Sequence, residues 1–204
     1  MRMIIATHNY KKLAELSRIL GPLGIDAVTD AEIGVKLDEV EETGTTFEEN
    51  AFLKADAACR QTGLPSVADD SGLMVDALGG APGVYSARYA GEGASDADRN
   101  RKLLSELEGL PEEERGAQFV SAICCVFPNG DRVEARGECP GRIGFRPVGE
   151  NGFGYDPLFV VEDGRSYAEL SDGEKDDISH RGNARRLFAV RLAEYLRTQK
   201  PDGE

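Results

Sequence analysis

PSVADDSG, residues 65–72, sets a short apolar run directly against two adjacent carboxylates. Ser66–Ala68 reads as a short strand, because Gly63 and Pro65 break whatever precedes it. Asp69, Asp70, Ser71 and Gly72 then admit two readings. One is a turn, since Asp and Ser side chains bond nearby backbone and Gly tolerates positive φ. The other is a metal site at a strand end, where paired carboxylates offer a hard cation its oxygen ligands. Upstream, Thr46 and Glu49 form a T-x-x-E capping box for a helix reaching about Gln61. A helix feeding a strand in this way is the signature of a βα unit.

The same alternation opens the chain. RMIIA (2–6) reads as a strand, THN as a loop, and residues 10–20 as a helix with Leu13, Leu16, Ile19 and Leu20 on one face, stopped by Gly21 and Pro22. Downstream, GGAPGVYSARYAGEGAS (79–95) is too rich in glycine for a regular element and reads as a long loop. Ser95 and Asp98 cap a helix that turns Leu103, Leu104 and Leu107 inward. AQFVSAICCVF (117–127) is a long strand. Asn129-Gly130 turns it, and DRVEARGEC returns antiparallel. GENGFGYDP (149–157) is a loop before the strand LFVV, Ser171 and Glu174 cap a short helix, and a last helix spans about 182–197 with Leu187, Val190, Leu192 and Leu196 inward. The class is therefore mixed α/β in one domain across 1–204, with parallel-type βα units first and an antiparallel hairpin in the middle. No linker is visible, and the hairpin region is where a second lobe would lie.

Composition narrows the function. The chain has 204 residues, 40% hydrophobic and 30% charged, with a formal net charge of −13. That charge disfavours polymeric nucleic acid, which is held by many Lys and Arg. It does not exclude a small anion brought in by a divalent cation and a few local bases. No apolar run reaches a membrane span, and the apolar stretch Met3–Ala6 is too short for a signal peptide, so the expected location is cytoplasmic. Cys59, Cys124, Cys125 and Cys139 contain no C-x-x-C pair and read as free, mostly buried thiols of a reducing compartment.

Four segments can carry chemistry. ATHNYKK (6–12) runs from a strand into a helix N-terminus, whose free N–H groups suit phosphate. Thr7 and Asn9 can donate there and Lys12 adds a charge; equally, Asn9 can simply cap the helix. In VEETG (40–44), Glu42 is either part of a solvated acidic loop or one carboxylate of a Mg²⁺ site completed by an Asp of ADDSG. In GFGYDP (152–157), Phe153 either stacks a base or fills the core, and Asp156 can accept from a base or sugar. EKDDISHRG (174–182) gathers Lys175, His180 and Arg181 into a basic spot in an acidic chain.

T-x-N-x-x-K at 7–12, EETGTTFEENAFLKA at 41–55, ADDSGLMVDALGGAPGVYSARYAG at 68–91, GFGYDPLF at 152–159 and SHRGNA at 179–184, in that order, closely resemble the inosine triphosphate pyrophosphatase family. The resemblance covers nearly the whole chain. It implies an elongated two-lobed α/β fold, a mixed sheet flanked by helices, with the site in the cleft between lobes. It implies Mg²⁺-dependent hydrolysis of ITP, dITP and XTP to the monophosphate and pyrophosphate by a homodimer. Carried onto matching positions, Thr7, Asn9 and Lys12 would hold the triphosphate, with His8 in the same loop and Lys54 as a further phosphate contact. Glu42 and Asp70 would bind the metal, Asp70 would also accept the proton, and Asp69 would support it. Ser71 would touch substrate. Phe153, Gly154, Tyr155 and Asp156, with Lys175, His180 and Arg181, would shape and read the base pocket. Two positions depart from the pattern: His8 stands where a small residue is common, and Lys11 where Gly is.

Rival functions share parts of this set. A pyrophosphatase for modified pyrimidine nucleotides would use the same metal chemistry and differ in base preference. A nucleotide-binding regulator without catalysis would not need to keep Lys12, Glu42, Asp69 and Asp70 together.

Overall fold

The computed structural model describes residues 1–7 and 10–199. Strands β1 (Arg2–Ile5), β2 (Asp26–Val28), β3 (Ser66–Val75), β4 (Gly116–Val126), β5 (Arg132–Ile143) and β6 (Phe159–Val160) form one sheet in the order β2-β1-β3-β4-β5-β6. The helices are α1 (Tyr10–Leu20), α2 (Phe47–Thr62), α3 (Asp96–Glu106), α4 (Asp172–Ile178) and α5 (His180–Thr198). β1 pairs parallel with both β2 and β3, and β6 pairs antiparallel with β5, so the sheet is mixed. The chain divides into two compact units, and β3, β4 and β5 each contribute residues to both. The hairpin expected to mark a second lobe is divided: Gly116–Ser121 and Glu138–Ile143 lie in the second unit, and the tip, Ala122–Gly137, belongs to the first. The physical reason is its apolar content, since Ile123, Cys125, Phe127, Val133 and Ala135 are all buried in that unit's core.

The first unit comprises Met1–Asp70, Ala122–Gly137 and Ala184–Glu204. α1 lays Leu16 and Leu20 onto Met3, Ile5 and Val67 of the sheet, as its apolar spacing dictates. α5 contributes Ala184, Phe188 and Leu192, one helical face at four-residue steps. Val190, expected inward, is exposed, because two residues beyond Phe188 is the opposite side of the helix. α2 starts at the capping box read from sequence: Thr46 Oγ1 accepts from the Glu49 N–H, and the Glu49 carboxylate accepts from the Thr46 N–H.

The second unit comprises Ser71–Ser121 and Glu138–Asn183. Its core packs Leu73 and Val75 of β3 against Leu103 and Leu107 of the α3 region, with an aromatic group around Phe119. Phe119 meets Phe159 edge-on at 4.7 Å and lies parallel to Tyr167 at 5.5 Å. Capping boxes at Ser95/Asp98 and Ser171/Glu174 start α3 and α4 where the sequence placed them. The long loop 79–95 holds a 3₁₀ segment, Gly83–Arg88, and Ser86 pins it to β3 by accepting from the Leu73 N–H at 2.9 Å.

One expectation changes the view of the site. ADDSG is neither a turn nor the end of its own strand: β3 runs straight through it for ten residues. What ends there is β1. Its last register with β3 is Ile5↔Val67, so Asp69 and Asp70 lie just past the carboxyl end of β1. Ligands bind outside the carboxyl ends of parallel strands in sheets of this kind. The strand continues because β4 flanks β3 on the other side and the two acids find cationic partners.

Candidate active site

Because successive strand residues face opposite ways, Asp69 and Asp70 take different partners. Lys12, in the first turn of α1, puts Nζ 2.8 Å from Asp69 Oδ2. Lys54, on α2, puts Nζ 3.3 Å from Asp70 Oδ1 and 2.8 Å from Glu42 Oε1. One ammonium thus joins the acidic loop to the strand, and two lysines alternate with three carboxylates on the first unit. All five side chains are largely buried, between 8% exposed for Asp69 and 28% for Glu42.

Two residues that the motif reading did not single out hold this array. Asn50, fully buried, donates from Nδ2 to Asp70 Oδ2 at 3.4 Å and accepts from the Gly44 N–H at 2.8 Å. Gly44 must be glycine: a Cβ there would sit 2.6 Å from Asn50 Oδ1 and 2.7 Å from the Glu49 Cβ. This close approach brings the 41–44 loop down onto α2 so that Glu42 reaches Lys54. The available signal was spacing, since Asn50 and Lys54 are four apart and share a helix face. A pocket of about 150 Å³ adjoins, lined by Thr7, Lys54, Asp38 and Glu39 among others.

Charge balance sets the ionisation. Burial works to lower the Lys54 pKa, but Asp70, Glu42 and Asp69 together outweigh it and leave it raised. Burial, aided by Glu42, lifts the Asp70 carboxyl above its ordinary value against the pull of Lys54 and Lys12. Among the described residues no group of three or more His, Cys, Asp or Glu could hold a metal by itself. Two carboxylates already converging on one cation do fit Mg²⁺, which takes one or two protein carboxylates and fills the rest of its shell with phosphate and water.

The second unit carries the other candidates. Phe153 is not in the core: it is 46% exposed, held between Gly152 and Gly154 at positive φ, while Tyr155 is the ring that is buried. Arg181 and Lys175 lie over the Phe153 ring at 5.1 and 5.5 Å. Asp156, buried, accepts from the Phe153 N–H at 2.8 Å and from Lys175 Nζ at 2.5 Å. Arg181 donates to Ser71 Oγ at 3.2 Å, and its buried Nε has no hydrogen-bond partner among the described residues. His180 is buried and stacks on Phe119 at 4.7 Å. Tyr155 OH donates to the Ser86 carbonyl at 2.8 Å. Asp96 and Asn100, four apart on α3 and also missed, bind the Gly154 N–H and carbonyl at 2.6 and 3.0 Å. His8 and Asn9 lie outside the described residues.

Carboxylates and lysines thus converge at the carboxyl end of a parallel strand pair, where sheets of this kind bind their ligands. The chain belongs to the Ham1 family, whose model matches residues 3–190. It is 51% identical over 195 residues to a dITP/XTP pyrophosphatase of Nocardia farcinica, covering 94% of this chain and 95% of that protein. A protein of the same description from Haemophilus influenzae is 47% identical over 196 residues, covering 94% and 98%. Among solved structures, a HAM1 protein from Coxiella burnetii superposes with a TM-score of 0.89 at 43% identity, covering 95% of this chain and 99% of that one. A nucleoside-triphosphatase / dITP/XTP pyrophosphatase from Mycobacterium abscessus gives 0.81 at 47% identity, covering 93% and 97%.

Proposed function

We propose that this chain hydrolyses noncanonical purine nucleoside triphosphates (ITP, dITP and XTP) to the monophosphate and pyrophosphate, with Mg²⁺, and so clears them from the nucleotide pool. The observation that carries the reading is the alternating array of Lys12, Asp69, Asp70, Lys54 and Glu42. A triphosphate brings several negative charges, and cutting it requires their neutralisation and a positioned water. Glu42 and Asp70 would hold Mg²⁺, which would supply part of that neutralisation. Lys12 and Lys54 supply the rest. Asp70 would take the proton of the attacking water, and Asp69, paired with Lys12 at 2.8 Å, would support it.

The second unit supports the base preference. Phe153 offers an exposed ring for stacking, and Arg181 Nε is a donor without an acceptor among the described residues. Hypoxanthine and xanthine carry an acceptor oxygen at C6, where adenine carries an amino group. A site that bonds the oxygen leaves its donor unsatisfied with adenine, which discriminates by up to about 10⁴-fold.

A cytoplasmic location is supported by four buried free thiols, which suit a reducing compartment, and no described helix is long and apolar enough to cross a membrane. The homodimer is carried over from the family resemblance; sedimentation of the purified protein tests it. The activity is tested by product analysis on ITP with Mg²⁺ and with EDTA. Metal-dependent IMP and pyrophosphate are expected. Release of IDP and orthophosphate would overturn the reading.

A further inference from the structure

We propose that Lys54 is the resident cation of the metal site: in the metal-free protein its ammonium occupies the bridge between Glu42 and Asp70, and a divalent cation enters by displacing it. The inference rests on the metal reading above and adds a step to it. Lys54 Nζ is within hydrogen-bonding distance of one oxygen of each carboxylate, at 2.8 and 3.3 Å, which is where a shared cation must sit. Without that ammonium, two partly buried carboxylates would lose the cation between them, a costly arrangement. The Asp70 side chain remains held when Lys54 leaves. Asn50 ties Asp70 to the Gly44 backbone independently of Lys54, through bonds of 3.4 and 2.8 Å. The lysine has a flexible four-carbon stem and can swing without moving α2.

The consequence is an exchange of partners. A divalent cation arriving alone must evict Lys54 and cost that ammonium both of its ion pairs. A divalent cation arriving with a polyphosphate gives Lys54 a new anion to bind. Lys54 therefore makes the site weak for free metal and selective for metal carried with phosphate, which protects the two acids from capture by stray cations.

The test uses full-length protein and MgCl₂ alone, titrated by calorimetry into wild type, Lys54→Met and Glu42→Gln. Removing the competing ammonium should tighten Mg²⁺ binding by about 10-fold, a tenfold change in Kd being about 1.4 kcal/mol. Glu42→Gln should weaken it. Lys54→Met should also melt at lower temperature than wild type without metal and recover on adding Mg²⁺. If Lys54→Met binds Mg²⁺ no tighter while Glu42→Gln binds it more weakly, the metal site stands and the resident-cation role is overturned. If Glu42→Gln leaves binding unchanged, the metal reading fails and this inference fails with it. Should Lys54→Met not fold without metal, wild-type protein decides by reductive methylation and peptide mass mapping. Lys54 should be protected in EDTA and modified faster with Mg²⁺; equal rates would overturn the proposal.

Discussion

Replacing Asp156 by Ala should destabilise the protein more than any surface substitution. Its carboxylate is only 5% exposed and is held from two sides, by the Phe153 N–H at 2.8 Å and Lys175 Nζ at 2.5 Å. Gly152, at φ 80°, closes over it so tightly that a Cβ there would collide with the carboxylate. Alanine strips the Phe153 amide of this acceptor and leaves Lys175, itself 20% exposed, without its counter-ion. Breaking a buried pair costs about 3–5 kcal/mol, and the partial exposure of Lys175 favours the lower figure. For a chain of this size each kcal/mol lowers Tm by roughly 2–4 °C, so the expected drop is about 6–12 °C by calorimetry. A double-mutant cycle with Lys175→Met should give a coupling of at least about 1 kcal/mol, since the two side chains share one interaction. A Tm for Asp156→Ala within about 2 °C of wild type would refute the reasoning, because that is less than 1 kcal/mol on the same scale.

Three further outcomes are expected. Asp70→Asn keeps the shape and removes the proton acceptor, so kcat on ITP should fall at least about 10²-fold; near-normal turnover would take Asp70 out of the mechanism. Arg181→Ala should lose preference for ITP over ATP more than it loses phosphate affinity, and an unchanged ITP/ATP ratio of kcat/KM would count against its role in base reading. No cysteine should react with a thiol reagent in the native protein at pH 8, while all four react once it unfolds. Burial lifts Cys124 from 9.0 to about 12, so its contribution to stability is complete below 9.0 and is lost as pH rises through the folded value; a thermal melt series at rising pH reads this.

What sequence revealed was mostly local. The boxes at Thr46/Glu49, Ser95/Asp98 and Ser171/Glu174 were legible because both partners of each lie within one turn. β2 was not, because three residues give too short a pattern. α5 begins at His180, two residues earlier than the apolar spacing indicates, since Ser179 sits at its start and takes the Gly182 N–H. Asp69 and Asp70 looked like turn residues because the cations that let two acids sit inside a strand come from α1 and α2. Glu42 and Lys54 are twelve residues apart, and no periodicity announces their contact. The motifs named the charged residues of the site. They left out Asn50, Gly44, Asp96 and Asn100, which act by positioning their neighbours and carry no chemical signature of their own.

The central claim is that this acid–lysine array serves 6-oxopurine triphosphates. The most direct measurement is a competition: equal amounts of ITP and ATP in one reaction with Mg²⁺, with both nucleotides followed by anion-exchange chromatography. The account predicts that ITP is converted to IMP and pyrophosphate while ATP remains. Consumption of both at the same rate, or of ATP first, would contradict it.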